Sequence, residues 1–188
     1  MPKPKPAHGH VAQGKKSHAA LNYCFACGKD NPKGMQLKFY SDEETRRTFC
    51  KFKLPRHLQG PPGHAHGGII ATILDEAMGK VNKFRSVVAL TRSMDVEYLK
   101  PVPLRQPLTV TGWEQKVEGR EHTNVAEIAN ENGDVLARST GVFIAVDIAK
   151  MFARHLNVED GGKFESRATR KNPTRERQTP THARHGRS

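Results

Sequence analysis

Several familiar classes of protein are excluded by what this chain has little of. Its 188 residues include three cysteines, Cys24, Cys27 and Cys50, an odd number that gives no disulfide framework and points to a reducing compartment, the cytoplasm. No run of about 18 apolar residues occurs, and the N-terminal residues hold no apolar leader segment, so neither a membrane span nor secretion is expected. Aromatic residues are 6% of the chain, with none among the charges at either end, which argues against a stacking platform for single-stranded nucleic acid. Acid is short as well: 19 Asp and Glu stand against 31 Lys and Arg, a formal charge of +12.

That excess sits at the ends. Residues 1–20 carry four Lys and no acid, and residues 166–188 carry seven Lys or Arg against one Glu, which leaves residues 21–165 near +2. Segments so polar cannot bury enough surface to offset their ordering, so 1–20 and most of 151–188 are expected to be disordered basic tails around one domain at 21–150. Contact between such tails and nucleic acid is a weaker expectation than simple solvation.

The central signal is Gln59-Gly-Pro-Pro-Gly-His-Ala-His66-Gly67-Gly68 leading into Ile-Ile-Ala-Thr-Ile-Leu-Asp75-Glu-Ala-Met-Gly79. A glycine-rich turn at a helix start leaves unpaired amides pointing outward, and the helix dipole favours negative charge there. Ile69, Ile70, Ile73, Leu74, Ala77, Met78 and Val81 share a helix face that reads as the core side, while Gly68, Thr72, Asp75 and Gly79 form a strip of small residues opposite. His66 and Asp75 are nine steps apart, roughly 13 Å along the helix and on opposite sides of it, so they cannot meet on one copy. An antiparallel second copy brings its helix start near this Asp75, which makes a homodimer with shared sites the expectation.

Around the expected helix at 66–80, alternation predicts strands at 35–40 and 47–54 before it and at 86–99, 106–116, 121–130 and 134–146 after it. Glu131-Asn-Gly-Asp134 is the clearest hairpin turn. A short helix at 148–160 is a further expectation. The class is α+β, a long central helix wrapped by an antiparallel sheet of five or six strands.

Together with Cys-Phe-Ala-Cys-Gly-Lys-Asp-Asn-Pro-Lys-Gly-Met at 24–35, this motif resembles the hotdog-fold acyl-CoA thioesterases, nearest their phenylacetate-degradation-type (PaaI-like) branch, over residues 22–147. The resemblance implies a hydrolase of acyl-CoA thioesters without a cofactor, working as a homodimer or a homotetramer built as a dimer of dimers. It implies that the Gly67 amide polarises the thioester carbonyl and that Asp75 of a second copy attacks it or activates water. His66 is read as a catalytic-site residue that orients or caps the helix start, with general-base proton transfer as its alternative; the resemblance matches Thr91 to a hydroxyl that positions the water or the carboxylate, and Gln59 and Gly68 to substrate contacts. Glu76, turned about 100° from Asp75, is expected to be a surface charge and His64 a loop residue without a role. Phe84, Val87, Val88 and residues near Met94 are expected to line the acyl pocket.

The single Cys24-x-x-Cys27 has no second pair or His pair at finger spacing, so no metal is expected, and the resemblance implies a structural turn instead. Two competing readings remain. His57-Leu-Gln-Gly-Pro-Pro-Gly faintly echoes acyl-thioester hydratases or dehydratases of the same fold, although Asp75 lies further along than their acid. A non-catalytic acyl-CoA sensor with nucleic-acid-touching tails is the other, disfavoured because binding alone needs no acid at the thioester.

Overall fold

Alternating segments bounded by good turns form strands here, and the one segment with three-and-four spacing forms the helix. The computed structural model describes residues 21–147 and Met151. Its elements are β1 (Tyr40–Asp42), β2 (Arg47–Phe52), α1 (Gly67–Val81), β3 (Ala89–Tyr98), β4 (Leu108–Glu118), β5 (Glu121–Asn130) and β6 (Val135–Ala145), with 3-10 turns at Arg56–Leu58 and Asn82–Arg85 on either side of the helix. The strands make one antiparallel sheet of order β1-β2-β4-β5-β6-β3. The chain crosses the sheet along α1 and resumes at the far edge, which makes β3 an edge strand. The expected α+β hotdog architecture is therefore adopted, with six strands.

The apolar face of α1 packs on β4, β5 and β6. Ile70, Ile73, Leu74, Ala77 and Met78 are buried against Val110, Ala126, Ile128, Ala137 and Phe143, Val81 is buried as well, and Ile69 is partly buried at the margin. Backbone polar groups follow the helix into this contact. The Ala77 carbonyl accepts the Thr48 hydroxyl at 3.1 Å, and the Met78 carbonyl accepts the Asn124 side-chain amide at 2.9 Å. Gly112 of β4 is what lets them approach, because a Cβ there stands 2.7 Å from the Ala77 carbonyl oxygen.

Three expected boundaries move for identifiable reasons. The first strand, expected at 35–40, starts later: Gln36 takes φ +50° and the Met35 and Leu37 amides bond the Phe25 and Ala26 carbonyls at 2.8 and 2.9 Å, so pairing with β2 begins only at Tyr40. Ser86, at φ +53°, closes the turn after α1 and delays β3 to Ala89. Arg105, at φ +62°, does the same before β4. The hairpin at 130–134 forms as expected: the Asn130 side-chain oxygen accepts the Asn132 and Asp134 amides at 3.0 and 2.9 Å, and Gly133 takes φ +85°.

The expected tails at 1–20 and 151–188 and the expected helix at 148–160 lie outside the described residues, Met151 apart. Among the described residues no helix is long and apolar enough to cross a membrane.

A Gly112→Ala substitution forces backbone apart rather than a flexible side chain, so it is expected to lower unfolding stability by about 1 to 3 kcal/mol. Urea unfolding measures this, and an unchanged midpoint contradicts the close approach.

Candidate active site

The start of α1 is built by the loop before it. Gln59 and Ala65 form an antiparallel bridge, the Gly60 amide donates to the His64 carbonyl at 3.0 Å, and the Gln59 side-chain oxygen accepts the Gly63 amide at 3.4 Å. This closed loop delivers His66 to the cap position with extended backbone, φ −66° and ψ 139°, and its Nδ1 accepts the Gly68 amide at 3.0 Å. His66 is therefore a helix cap, as expected of its orienting role. The cap consumes the Gly68 amide and leaves the Gly67 amide with no acceptor among the described residues. At the carbonyl of the same residue, the Tyr98 hydroxyl donates to Gly67 at 3.2 Å.

Beside Gly67 lies an open cleft of about 380 Å³ lined by Pro61, His64, Gly67, Ile70, Tyr98 and Val102. Phe84, Val87 and Val88, expected along the acyl chain, do not line this cleft, and Phe84 sits in the 3-10 turn beyond the opposite end of α1. His64, expected to be a loop residue without a role, and Tyr98 both line the cleft. Tyr98 reaches Gly67 only because β3 runs back along the helix, and no local spacing marks that.

Asp75, half-buried, stands further along α1, where its Oδ1 accepts the Thr91 hydroxyl at 2.7 Å. Thr91 comes from β3, at a register shift against β6 between Thr91 and Ser93, the kind of bulge that re-aims a side chain. The cations that would make Asp75 an ordinary surface ion pair are engaged elsewhere. Lys80 pairs with Glu76 at 2.8 Å and Arg85 with Glu114 at 2.6 Å. The structure thus unites Asp75 with Thr91, and His66 with Gly67 and Gly68, at two points of one helix roughly 13 Å apart by helical rise.

Glu76 is not the free surface charge expected of it. Its Oε1 holds Lys80, and its Oε2 faces the Cys24 Sγ at 3.6 Å. Burial acts to raise the Glu76 carboxyl, but the Cys27 thiol and the Lys80 ammonium outweigh it and hold the group below the usual carboxylate range. Burial, with Glu76 adding to it, pushes the Cys27 thiol up to about 11 against the opposing pull of Lys80.

Residues 62–137 match the family model described as Thioesterase superfamily, and the six antiparallel strands on one helix are the hotdog fold of the solved structures that the chain resembles. Acyl-coenzyme A thioesterase THEM4 of Rattus norvegicus is 33% identical over 115 residues, 61% of this chain and 50% of its own. The chain spans about half the length of the curated relatives it matches. Among solved structures, a thioesterase superfamily protein is 29% identical with a TM-score of 0.62, covering 65% of this chain and 60% of that one. Two others share the fold. They are smu.793 of Streptococcus mutans UA159 bound to acetyl CoA (21% identical, 58% of this chain and 88% of that one, TM-score 0.55) and the E. coli PaaI protein of the phenylacetic acid degradation operon (17%, 59% and 80%, TM-score 0.55).

Replacing His66 by Ala removes the cap and is expected to cost about 1 kcal/mol, whereas His66→Asn, a good capping residue, keeps most of it. Urea unfolding of the two variants separates these outcomes, and equal losses contradict the capping role.

Proposed function

We propose that the chain hydrolyses acyl-CoA thioesters in the cytoplasm, at sites each assembled from two copies of the domain. One observation carries the reading: the 2.7 Å bond from Thr91 orients the Asp75 carboxylate on the same helix whose far end presents an unengaged Gly67 amide. An oriented acid and an amide at a helix N-terminus are the two parts that acyl transfer from a thioester requires. The activity named for the THEM4 relative and the acetyl CoA held by the S. mutans neighbour support the substrate class.

The two parts lie too far apart on one chain, and β3 supplies the reason for a second. It is a ten-residue edge strand, most of it exposed, and Val88, Leu90, Tyr98 and Leu99 on and beside it are large and exposed. A long apolar edge left open invites pairing with another strand, and an antiparallel copy closes it while running the two helices in opposite directions. The assembly is then a homodimer or a dimer of dimers.

In this reading the thioester oxygen sits at the Gly67 amide of one copy, with Gln59 and Gly68 beside it. Asp75 of the second copy, held by its own Thr91, either attacks the carbonyl carbon or takes a proton from a water that attacks. If Asp75 attacks, the carbon–sulfur bond breaks as an acyl–Asp75 anhydride forms, and water then hydrolyses the anhydride to the free acid and supplies the thiolate's proton; if water attacks, its oxygen joins the carbonyl carbon, the carbon–sulfur bond breaks, and the proton taken by Asp75 passes to the departing thiolate. His66 keeps the helix start in place and transfers no proton. A single turnover in labelled water distinguishes the routes, since label enters Asp75 only if it is the nucleophile.

Thiol release from a panel of aryl, short and long acyl-CoAs tests the reaction. Asp75→Ala is expected to lose turnover at matched dimer content, and release undiminished in that variant contradicts the assignment. Gly67→Pro deletes the amide itself. Proline suits the first helical position, and the extended His66 is compatible with a following proline, so the helix survives while kcat falls about 10²- to 10³-fold. Turnover at the native level in Gly67→Pro rules out the oxyanion role. Leu90→Lys, on the exposed edge, is expected to yield a monomer in sedimentation and to lose thiol release with it.

A further inference from the structure

We propose that Cys24, Cys27 and Glu76 form a zinc site that clasps the segment before β1 to the outer side of α1, with Lys80 as its hydrogen-bonding neighbour. Spacing along the chain hides it, because the third donor follows Cys24 by 52 residues. Folding brings the three ligand atoms within 4.8 Å of one another. Zinc–sulfur and zinc–oxygen bonds of about 2.3 and 2.0 Å at tetrahedral angles place a sulfur and an oxygen ligand about 3.5 Å apart. Cys24 Sγ and Glu76 Oε2 are 3.6 Å apart.

The turn that presents the thiols is already fixed. The Gly28 amide donates to the Cys24 carbonyl at 2.9 Å, and a Cβ on Gly28 meets the Cys24 backbone at 2.5 Å, so the residue after the second cysteine has to be glycine. The chemistry of the donors selects the ion. Two thiolates and one carboxylate suit zinc and are poor ligands for magnesium or calcium.

Lys80 stands beside this site without filling it. Its ammonium binds Glu76 Oε1 at 2.8 Å and the Cys27 Sγ at 3.1 Å, while Glu76 Oε2 is the oxygen that faces Cys24. With zinc on Oε2 and both sulfurs, Lys80 keeps its contacts and donates to a metal-bound thiolate, the kind of outer partner that tunes a metal site. Two thiolates and a carboxylate then balance one divalent ion and one ammonium. Cys24 is exposed, which gives the ion its way in and leaves the fourth position to water.

The test uses the full chain, reduced, stripped with chelator and given zinc alone, with bound metal measured by elemental analysis after removal of the excess. One zinc per chain is expected. Cobalt in place of zinc is expected to give a sulfur-to-metal charge-transfer band, which the histidines elsewhere in the chain cannot produce. Cys24→Ser and Glu76→Gln are expected to weaken binding, and Lys80→Met to weaken it by about 10- to 100-fold, with far-ultraviolet circular dichroism showing that each variant stays folded. Cys50→Ser, at a buried cysteine outside the cluster, leaves binding intact. No retained zinc, no cobalt–sulfur band, or full zinc retention in Cys24→Ser overturns the site. The readout is metal content, so its failure is separate from any failure of the hydrolase reading.

Discussion

Everything else in this domain depends on how closely α1 lies on the sheet. Gly112 removes the one Cβ that would hold the helix off at Ala77, and Thr48 and Asn124 satisfy helix carbonyls from the strands beneath. With its apolar face thus buried, the helix has a fixed rotation about its axis. That rotation turns Asp75 toward β3 and Thr91, and Glu76 toward the opposite flank and Cys24. Two neighbouring carboxylates acquire different surroundings from one packing contact.

The same contact explains why the candidate site is split. The helix N-terminus, capped by His66, ends beside the cleft lined by Tyr98, while Asp75 sits more than two turns further along. A rigid, buried helix cannot bend to unite them. In the proposed dimer a second helix running the other way brings the two parts together, and the exposed β3 edge offers such a copy backbone groups to pair with.

Much of this was legible in the sequence, and the unread part has a common physical cause. The helix, its buried face and the hairpin at 130–134 follow from periodicity and turn chemistry, which are local. Thr91 as partner of Asp75 is implied by the family resemblance alone, and its hydroxyl donates to that carboxylate at 2.7 Å. The false start of the first strand at Met35 came from alternation that is real, but Gln36 bends the backbone and the amides pair with the turn at Phe25 and Ala26 instead. Tyr98 against Gly67, and Glu76 against Cys24, are contacts over 31 and 52 residues. Such pairs are set by which faces the fold brings together, and single-chain spacing carries no trace of them.

The claim that a working site takes Gly67 from one copy and Asp75 from another is tested most directly by mixing two inactive proteins. Gly67→Pro and Asp75→Ala chains, unfolded together and refolded, form mixed dimers in which one of the two sites has both of its native parts. Thiol release from acyl-CoA is then predicted to return to about a quarter of the native rate, the fraction expected from random pairing in a two-fold dimer. Mixed dimers that form but release no thiol would contradict a site shared between copies.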